Sequence, residues 1–185
     1  CIVAHPGRDP ILHEGAIYAG AWVESTASIC AEVLARFYPR VATETIRRIV
    51  SRPSPDGQLP YKVAANGPSY AHVQMVTPFA RSIARVAALA ADPDLLADAY
   101  PALAGHDAWL AAHRDTRGTG GVEAFCTLDA GQEHSPRFWH TPDHCPGAVA
   151  SRYDTDNPRL PFVAPDLTAN VAAQRLALAG IAAAL

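Results

Sequence analysis

The sequence predicts an all-α fold in which paired helices are joined by short turns. Apolar residues recur at helical spacing along several stretches, and no stretch alternates apolar and polar residues as a half-buried strand does. Prolines and glycines concentrate between residues 53 and 68 and between residues 117 and 165. We therefore expect these two stretches to be loops and most of the remaining chain to be helical.

The first third of the chain predicts an irregular start and two helices. Residues 1–20 contain His5-Pro6-Gly7-Arg8-Asp9-Pro10 and are expected to form an irregular N-terminal segment. Apolar residues at helical spacing predict a helix over residues 21–37, which Pro39 ends. A second helix is expected from residue 41 to residue 52, before a turn cluster at 53–57.

The middle of the chain predicts three further helices. The first runs from residue 70 to residue 91, and Pro78 is expected to kink it or delay its start. Asp92-Pro93-Asp94 predicts the start of a short helix that ends near Tyr100. Pro101 is expected to open another helix that ends near Arg114. His72, His106 and His113 are expected on helix surfaces or as caps.

Residues 115–165 predict a long loop rich in glycine, proline and histidine. Asp166 is expected to cap the last helix, which starts at Leu167. Loops of this length without regular structure are uncommon unless they have a function. The chemistry of the protein is therefore expected in this loop.

Composition excludes several classes of protein. The chain has 185 residues, of which 49% are hydrophobic and 18% charged, so it has enough apolar material for a folded core. A formal net charge of −3 predicts no nucleic-acid partner. Because no run of 18 apolar residues occurs, we expect no transmembrane helix and no membrane partner.

The ends of the sequence suggest a fragment of a longer protein. The chain starts at Cys1 without a signal-peptide pattern, and residues 171–185 are an apolar helical run without a stop signal. The alternative is a natural terminal helix docked on the core. The compartment is left open by these features.

The densest group of functional side chains lies between Asp129 and Trp139. Carboxylates, an arginine and aromatic rings stand close together there, and Gly131 permits a tight backbone turn. An arginine binds carboxylates or hydroxyls through its planar fork, and an indole stacks on a sugar ring. The candidate site residues are Asp129, Glu133, Arg137 and Trp139. The alternative is a structural loop in which Glu133 pairs with Arg137 and Trp139 packs in the core.

Gly131-Gln132-Glu133-His134-Ser135-Pro136-Arg137 resembles the Gly-x-Asp-x-Ser-x-Arg motif of the trehalase-like and glucosidase-I-like glycoside hydrolases, families 37 and 63. Further segments resemble other motifs of these families in the same order along the chain. They are Trp22-Val23-Glu24-Ser25, Asp56-Gly57-Gln58-Leu59-Pro60, residues 69–76, the Trp109 to Gly120 stretch with Arg114-Asp115, and Pro165-Asp166-Leu167-Thr168-Ala169-Asn170.

The resemblance implies part of an (α/α)6 toroid, with about half of its helices in residues 21–185 and a long active-site loop between helices. It implies inverting hydrolysis of an oligosaccharide or glycoside without a cofactor. Glu133 stands at the position of the general acid, with Glu in place of Asp, and is expected at the floor of a helical bowl beside an arginine and an indole.

The same resemblance implies substrate contacts for further residues. Arg137 stands at a substrate-contacting arginine, and Trp22 and Glu24 stand where these families line the sugar site, with Glu24 shifted by one position. Gln74 corresponds to a loop glutamine that contacts sugar, although the helical pattern places it inside a helix. An inverting enzyme needs a base about 6.5–9.5 Å from the acid. No position of this chain matches that base, so the fragment alone is expected to be inactive; Glu123, Asp129 and Asp166 are the carboxylates that would have to replace it.

Two other functions compete with hydrolysis. The side chains of Cys126, His134, His140, His144 and Cys145 are suitable zinc ligands within twenty residues, although their spacing matches no known zinc motif. Helical pairs in series also form non-catalytic binding scaffolds, but the chain shows no fixed repeat.

Overall fold

The computed structural model describes residues 1–4, 7, 9–15 and 17–185, and five helices dominate this part of the chain. The helix α1 covers residues 23–37, with α-helical ends, Val23–Ser25 and Ala35–Phe37, around a wider π-helical stretch, Thr26–Leu34. It is followed by α2 (Pro39–Val50), α3 (Phe79–Ala90), α4 (Asp94–His113) and α5 (Pro165–Ala184). The prediction of a mainly helical fold is confirmed.

Helix α3 lies at the centre of the helical layer and contacts each of the other four helices. Its buried face carries Phe79, Ile83 and Val86, which join Ile46 and Ile49 of α2 in the larger of two apolar cores. The buried residues of α3 recur every three or four positions, so one stripe of the helix removes apolar surface from water. A second core lies under the long loop and includes Trp109, Phe125, Phe138 and Leu167.

Seven short strands form three small antiparallel sheets within the described ranges, which differs from the expectation of no strand. They are β1 (Ile2–Val3) with β2 (Ile11–Leu12), β3 (Ala21–Trp22) with β4 (Lys62–Ala64) and β5 (Gly67–Ser69), and β6 (Glu123–Ala124) with β7 (Phe162–Val163). In the central sheet Trp22 is opposite Lys62, which is opposite Ser69. Strands of two or three residues are too short to show the alternation by which strands are detected.

The helices expected in the middle of the chain are confirmed in part: Pro78 delays the start of one helix as expected, whereas the break expected at Pro101 is wrong. The helix expected from residue 70 starts at Phe79, because Pro78 has an extended ψ of 98° and cannot continue a helix backwards. The two helices expected over 92–114 are the single helix α4, in which the ring of Pro101 lies on the exposed face while Ala102 and Leu103 are buried. The buried face, with Ala102 and Leu103, packs against α2 and α3. This packing compensates for the hydrogen bond that Pro101 cannot donate.

The last helix starts at Pro165, with the residue before it, Ala164, at the N-cap position. Asp166 therefore lies in the first turn and is not the cap that was expected; its carboxylate accepts a hydrogen bond from Arg137 instead. The expected irregular segment 1–20 contains the short pair β1–β2, and residues 5, 6, 8 and 16 of that segment lie outside the described residues.

By length and composition alone, α5 is apolar enough to cross a membrane, with a mean hydropathy of 1.2. Core helices of water-soluble proteins meet the same two criteria. Residues of α5 contact α3 and α4, and Leu167, Val171, Gln174 and Ile181 are buried. The absence of a membrane partner stays a prediction.

Candidate active site

A buried segment without regular secondary structure, residues 71–76, connects β5 to the start of α3. Residues 71–75 are all buried, so their backbone polar groups need partners inside the protein. The side chain of Gln58 supplies two of them, because its Nε2 donates to the carbonyl oxygens of Tyr70 and His72 at 3.2 Å. The backbone N–H of Cys145 donates to the carbonyl of Ala71.

Two further side chains hold the other half of this segment. The N–H of Val73 donates to Oδ1 of Asp129, and the N–H of Met75 donates to the carbonyl oxygen of Asp129, both at 3.0 Å. Asn170 of α5 donates from Nδ2 to the carbonyl oxygens of Met75 and Val76, also at 3.0 Å. Residues from the long loop and from α5 thus supply the backbone hydrogen bonds that a helix or sheet would otherwise provide.

Gln74 lies at the centre of the 71–76 segment, and its backbone is left-handed with a φ of 46°. Its side chain is buried, and Nε2 donates to Oε2 of Glu24 at 3.3 Å. The amide oxygen Oε1 has no protein partner. The sequence pattern placed Gln74 in a helix, and the structure places it in a loop that faces the first turn of α1.

Two other carboxylates, those of Glu14 and Glu133, influence Glu24. Burial raises the pKa of Glu24, and the charges of Glu14 and Glu133 raise it further. Glu14 is held by Ser25, whose hydroxyl donates to Oε1 at 2.6 Å. Glu133 of the long loop is thus within electrostatic range of Glu24, which binds Gln74.

Glu133 is exposed, in contrast to the enclosed position expected for it. The guanidinium of Arg137 lies over the ring of Phe138, 4.8 Å from its centroid, and donates from Nη2 to Asp166 and to Oε1 of Gln132. The alternative that Glu133 pairs with Arg137 is therefore not what the structure shows.

The two tryptophans of the predicted site differ in their surroundings. Trp139 is 59% exposed, so it does not pack in the core as the structural-loop alternative expected. Trp22 lies 5.4 Å from Tyr61 between ring centroids, and the ammonium of Lys62 lies 4.9 Å above its ring. The indole nitrogen of Trp22 is buried without a partner.

Asp129 is fully buried and paired with Arg114, which is also fully buried. The guanidinium donates to Oδ2 at 2.6 Å and to Oδ1 at 3.1 Å, and the N–H groups of Phe125 and Cys126 also donate to the carboxylate. Burial alone would raise the pKa of Asp129, but the charge and hydrogen bonds of Arg114 and the backbone N–H groups of Val73 and Phe125 lower it. All of these bonds lie within the protein, so this placement favours a structural part for Asp129 rather than contact with a substrate.

A model of the mannosylglycerate hydrolase MGH1-like glycoside hydrolase domain matches residues 18–185, which is most of the chain.

The chain belongs to this glycoside hydrolase family.

A solved structure supports the fold of the MGH1-like domain. The crystal structure of the GH63 mannosylglycerate hydrolase from Thermus thermophilus in complex with Tris is similar to it, with a TM-score of 0.53 and 19% sequence identity. The similarity covers 69% of this chain and 36% of that protein. The fold is therefore part of the (α/α)6 architecture predicted from the motifs. A comparison with curated proteins found no match.

The zinc site that competed with hydrolysis is not assembled as predicted. Within the ranges that the structure describes, the one group of three potential ligands is Cys126, Asp129 and Cys145. The guanidinium of Arg114 lies among these three side chains, because it binds Asp129 and approaches Sγ of Cys145 at 3.8 Å. His144 instead contacts His72, with 3.2 Å between their Nδ1 atoms. A buried guanidinium repels a cation, so this group is unsuited to zinc.

Several residues near the candidate site were not predicted from the sequence. His72 is fully buried, not on a helix surface, and is stacked on Tyr61 with 3.7 Å between ring centroids. Its Nε2 has no partner, and burial lowers its pKa to about 4. Arg114 and Glu14 were also missed as parts of the site. Arg114 lies within one of the family-like motifs. Its position at a helix end gave no sign that its charge has a buried partner.

The MGH1-like domain is expected to lose stability in mild acid because of His106, which is buried and not on a helix surface. Burial lowers the pKa of His106 to about 4, and Nδ1 accepts the N–H of Leu59 at 3.1 Å. The unfolded chain takes up this proton near pH 6.5, so stability falls as the pH drops from about 6.5 to about 4, by at most about 3 kcal/mol for this group. His106→Asn keeps an acceptor and removes the titration.

Urea unfolding at pH 7 and pH 4.5 measures this effect. The free energy of unfolding is expected to fall less between the two pH values in His106→Asn than in the unmodified protein. His140→Asn, at an exposed position, is the control and should keep the original pH dependence. Equal pH dependence in His106→Asn and the unmodified protein would contradict the assignment.

Proposed function

We propose that this domain hydrolyses a glycosidic bond with inversion and that Glu133 is the general acid. The proposal is supported by the match of residues 18–185 to a glycoside hydrolase domain and by the hydrogen bond from the buried amide of Gln74 to Glu24. In this proposal Glu133 donates the proton, and Glu24 and Gln74 contact the substrate. A carboxylic acid that reaches the leaving oxygen provides general acid catalysis for this reaction.

Polar atoms without a protein partner support sugar binding at the proposed site. The indole N–H of Trp22 is a donor without an acceptor, and Oε1 of Gln74 is an acceptor without a donor. Buried polar atoms are normally paired, and sugar hydroxyls both donate and accept. We assign Trp22, Glu24 and Gln74 to sugar hydroxyls and the exposed face of Trp139 to a sugar ring. Arg137, whose Nε lacks a partner, completes the proposed contacts.

We propose that the general base comes from outside these 185 residues. The three carboxylates that would have to replace it are occupied: Glu123 pairs with Arg117, Asp129 with Arg114 and Asp166 with Arg137. A carboxylate paired with an arginine is a weak base, because protonation would break the pair. The chain corresponds to 36% of the similar hydrolase, which leaves room for the base elsewhere.

The proposed substrate is an oligosaccharide or a small glycoside. The similar solved structure is that of a mannosylglycerate hydrolase, so mannosylglycerate is the first compound to assay, followed by other mannosides, glucosides and trehalose-like disaccharides. Proton NMR of the reaction identifies the anomer that is released first. An inverted anomer is expected. A retained anomer would contradict the mechanism, and the absence of hydrolysis across the panel by the protein with its complete catalytic domain would contradict the function.

A further inference from the structure

The conformation of Gln74 needs a cause, because its own local structure does not supply one. A φ of 46° is uncommon for a residue with a β-carbon. The residue lies in a buried segment outside the helices and strands, whose regular φ values are all negative. The angle must therefore be imposed by contacts from elsewhere in the fold.

The peptide groups on both sides of Gln74 are held from two separate elements. Asp129 accepts the N–H of Val73 on its carboxylate and the N–H of Met75 on its carbonyl oxygen. Asn170 of α5 donates to the carbonyl of Met75 and to that of Val76. Rotation of Gln74 to an ordinary backbone angle would turn these neighbouring groups away from their partners.

A third contact fixes the same segment against the long loop. Gly131, two residues after Asp129, has a φ of 64° and packs so closely on Val76 that a β-carbon there would lie 2.7 Å from its Cγ2 atom. The turn that leads to Glu133 is thus in direct contact with the segment that carries Gln74. The two parts of the proposed site therefore pack directly against each other.

We infer that Asn170 and Asp129 are positioning residues, which fix the backbone around Gln74 so that its amide meets Glu24 and its free oxygen faces the substrate. The inference rests on the proposed function, because it gives these two residues a purpose in glycoside binding. Neither residue is a catalytic residue in this assignment. Asp129 contributes to the site by binding the backbone of the 71–76 segment. In this assignment it does not contact sugar as the sequence predicted, and Gln74 makes that contact.

Asn170→Ala is the decisive variant because it removes the two bonds to Met75 and Val76 and leaves the Arg114–Asp129 pair intact. Hydrogen exchange of the peptide covering residues 71–76 is expected to accelerate about tenfold, which corresponds to loss of about one hydrogen bond. With the best substrate from the panel, kcat/KM is expected to fall about tenfold. Asn157→Ala is the matched control, since Asn157 bonds a loop carbonyl, that of His140, away from this segment.

A double-mutant cycle separates positioning from general stability. If Asn170 acts through Gln74, adding Asn170→Ala to Gln74→Ala lowers kcat/KM no further than Gln74→Ala does alone. Independent, additive losses would overturn the inference.

The test keeps its meaning if the proposed function fails. Should no glycoside be hydrolysed, the NMR signals of the Gln74 side-chain amide still report its hydrogen bond to Glu24. Loss of that bond in Asn170→Ala, together with faster exchange over residues 71–76, supports positioning. Unchanged amide signals and unchanged exchange would overturn it independently of any activity.

Discussion

In the protein with its complete catalytic domain, Glu133→Gln is expected to lower the hydrolysis rate by a factor of about 10² to 10⁴, the usual contribution of a general acid. Glutamine has nearly the shape of glutamate but has no proton to give to the leaving oxygen. Glu133 is exposed, so the exchange leaves no buried group unpaired and stability should change by less than about 0.5 kcal/mol. Rate and affinity are measured by the hydrolysis assay and by calorimetric titration of the substrate, whose affinity should be retained.

Glu32→Gln is the matched control, because Glu32 of α1 forms an exposed pair with Arg85. It should leave the rate unchanged. Glu133→Asp restores the residue that the related motif carries and tests whether one methylene group matters for proton transfer. Undiminished turnover in Glu133→Gln would remove Glu133 from the role of the acid.

The largest effect on stability is expected from Asp129→Asn. This change keeps the size of the side chain but leaves the buried guanidinium of Arg114 without its counter-charge. Removing one partner of a buried ion pair costs about 3–5 kcal/mol, which is a large part of the stability of a domain of this size. Urea unfolding at pH 7 measures the loss.

Asp107→Asn is the control for this variant. Asp107 also pairs with an arginine, Arg175, at 2.7 Å, but the pair lies at the surface and is worth at most about 1 kcal/mol. Because the pKa of Asp129 is lowered in the folded state, the stabilisation that it provides is present at neutral pH and is lost as the pH falls below the ordinary range of a carboxyl. Equal losses in Asp107→Asn and Asp129→Asn would contradict the importance of burial.

The order of motifs along the chain predicted the family and the fold more reliably than the pattern of any single element. Gln74 shows why. Apolar residues at helical spacing placed it inside a helix, whereas the related motif placed it in a loop that contacts sugar. The structure has a loop there because Pro78 prevents the helix from extending backwards and because Gln58, Asp129 and Asn170 bind the backbone of the segment.

The predicted site is brought together in part. Trp22, Glu24 and Gln74 lie at β3, the start of α1 and the 71–76 segment, and Glu133 acts electrostatically on Glu24. Asp129 was identified as a site residue because it is close to Glu133 in sequence. Its burial could not be foreseen, since the partner that neutralises it, Arg114, comes from the end of a different element.

By itself the sequence determined the main helices, the family and the residue types available for chemistry, because apolar spacing and motif order are properties of neighbouring residues. Only the tertiary structure decided which polar groups meet. The bonds that shape the 71–76 segment join residues 56 and 95 positions apart, and the bond from Gln74 to Glu24 spans 50. Such contacts form only after the helices have packed, and burial then sets both their strength and the charge of the groups involved.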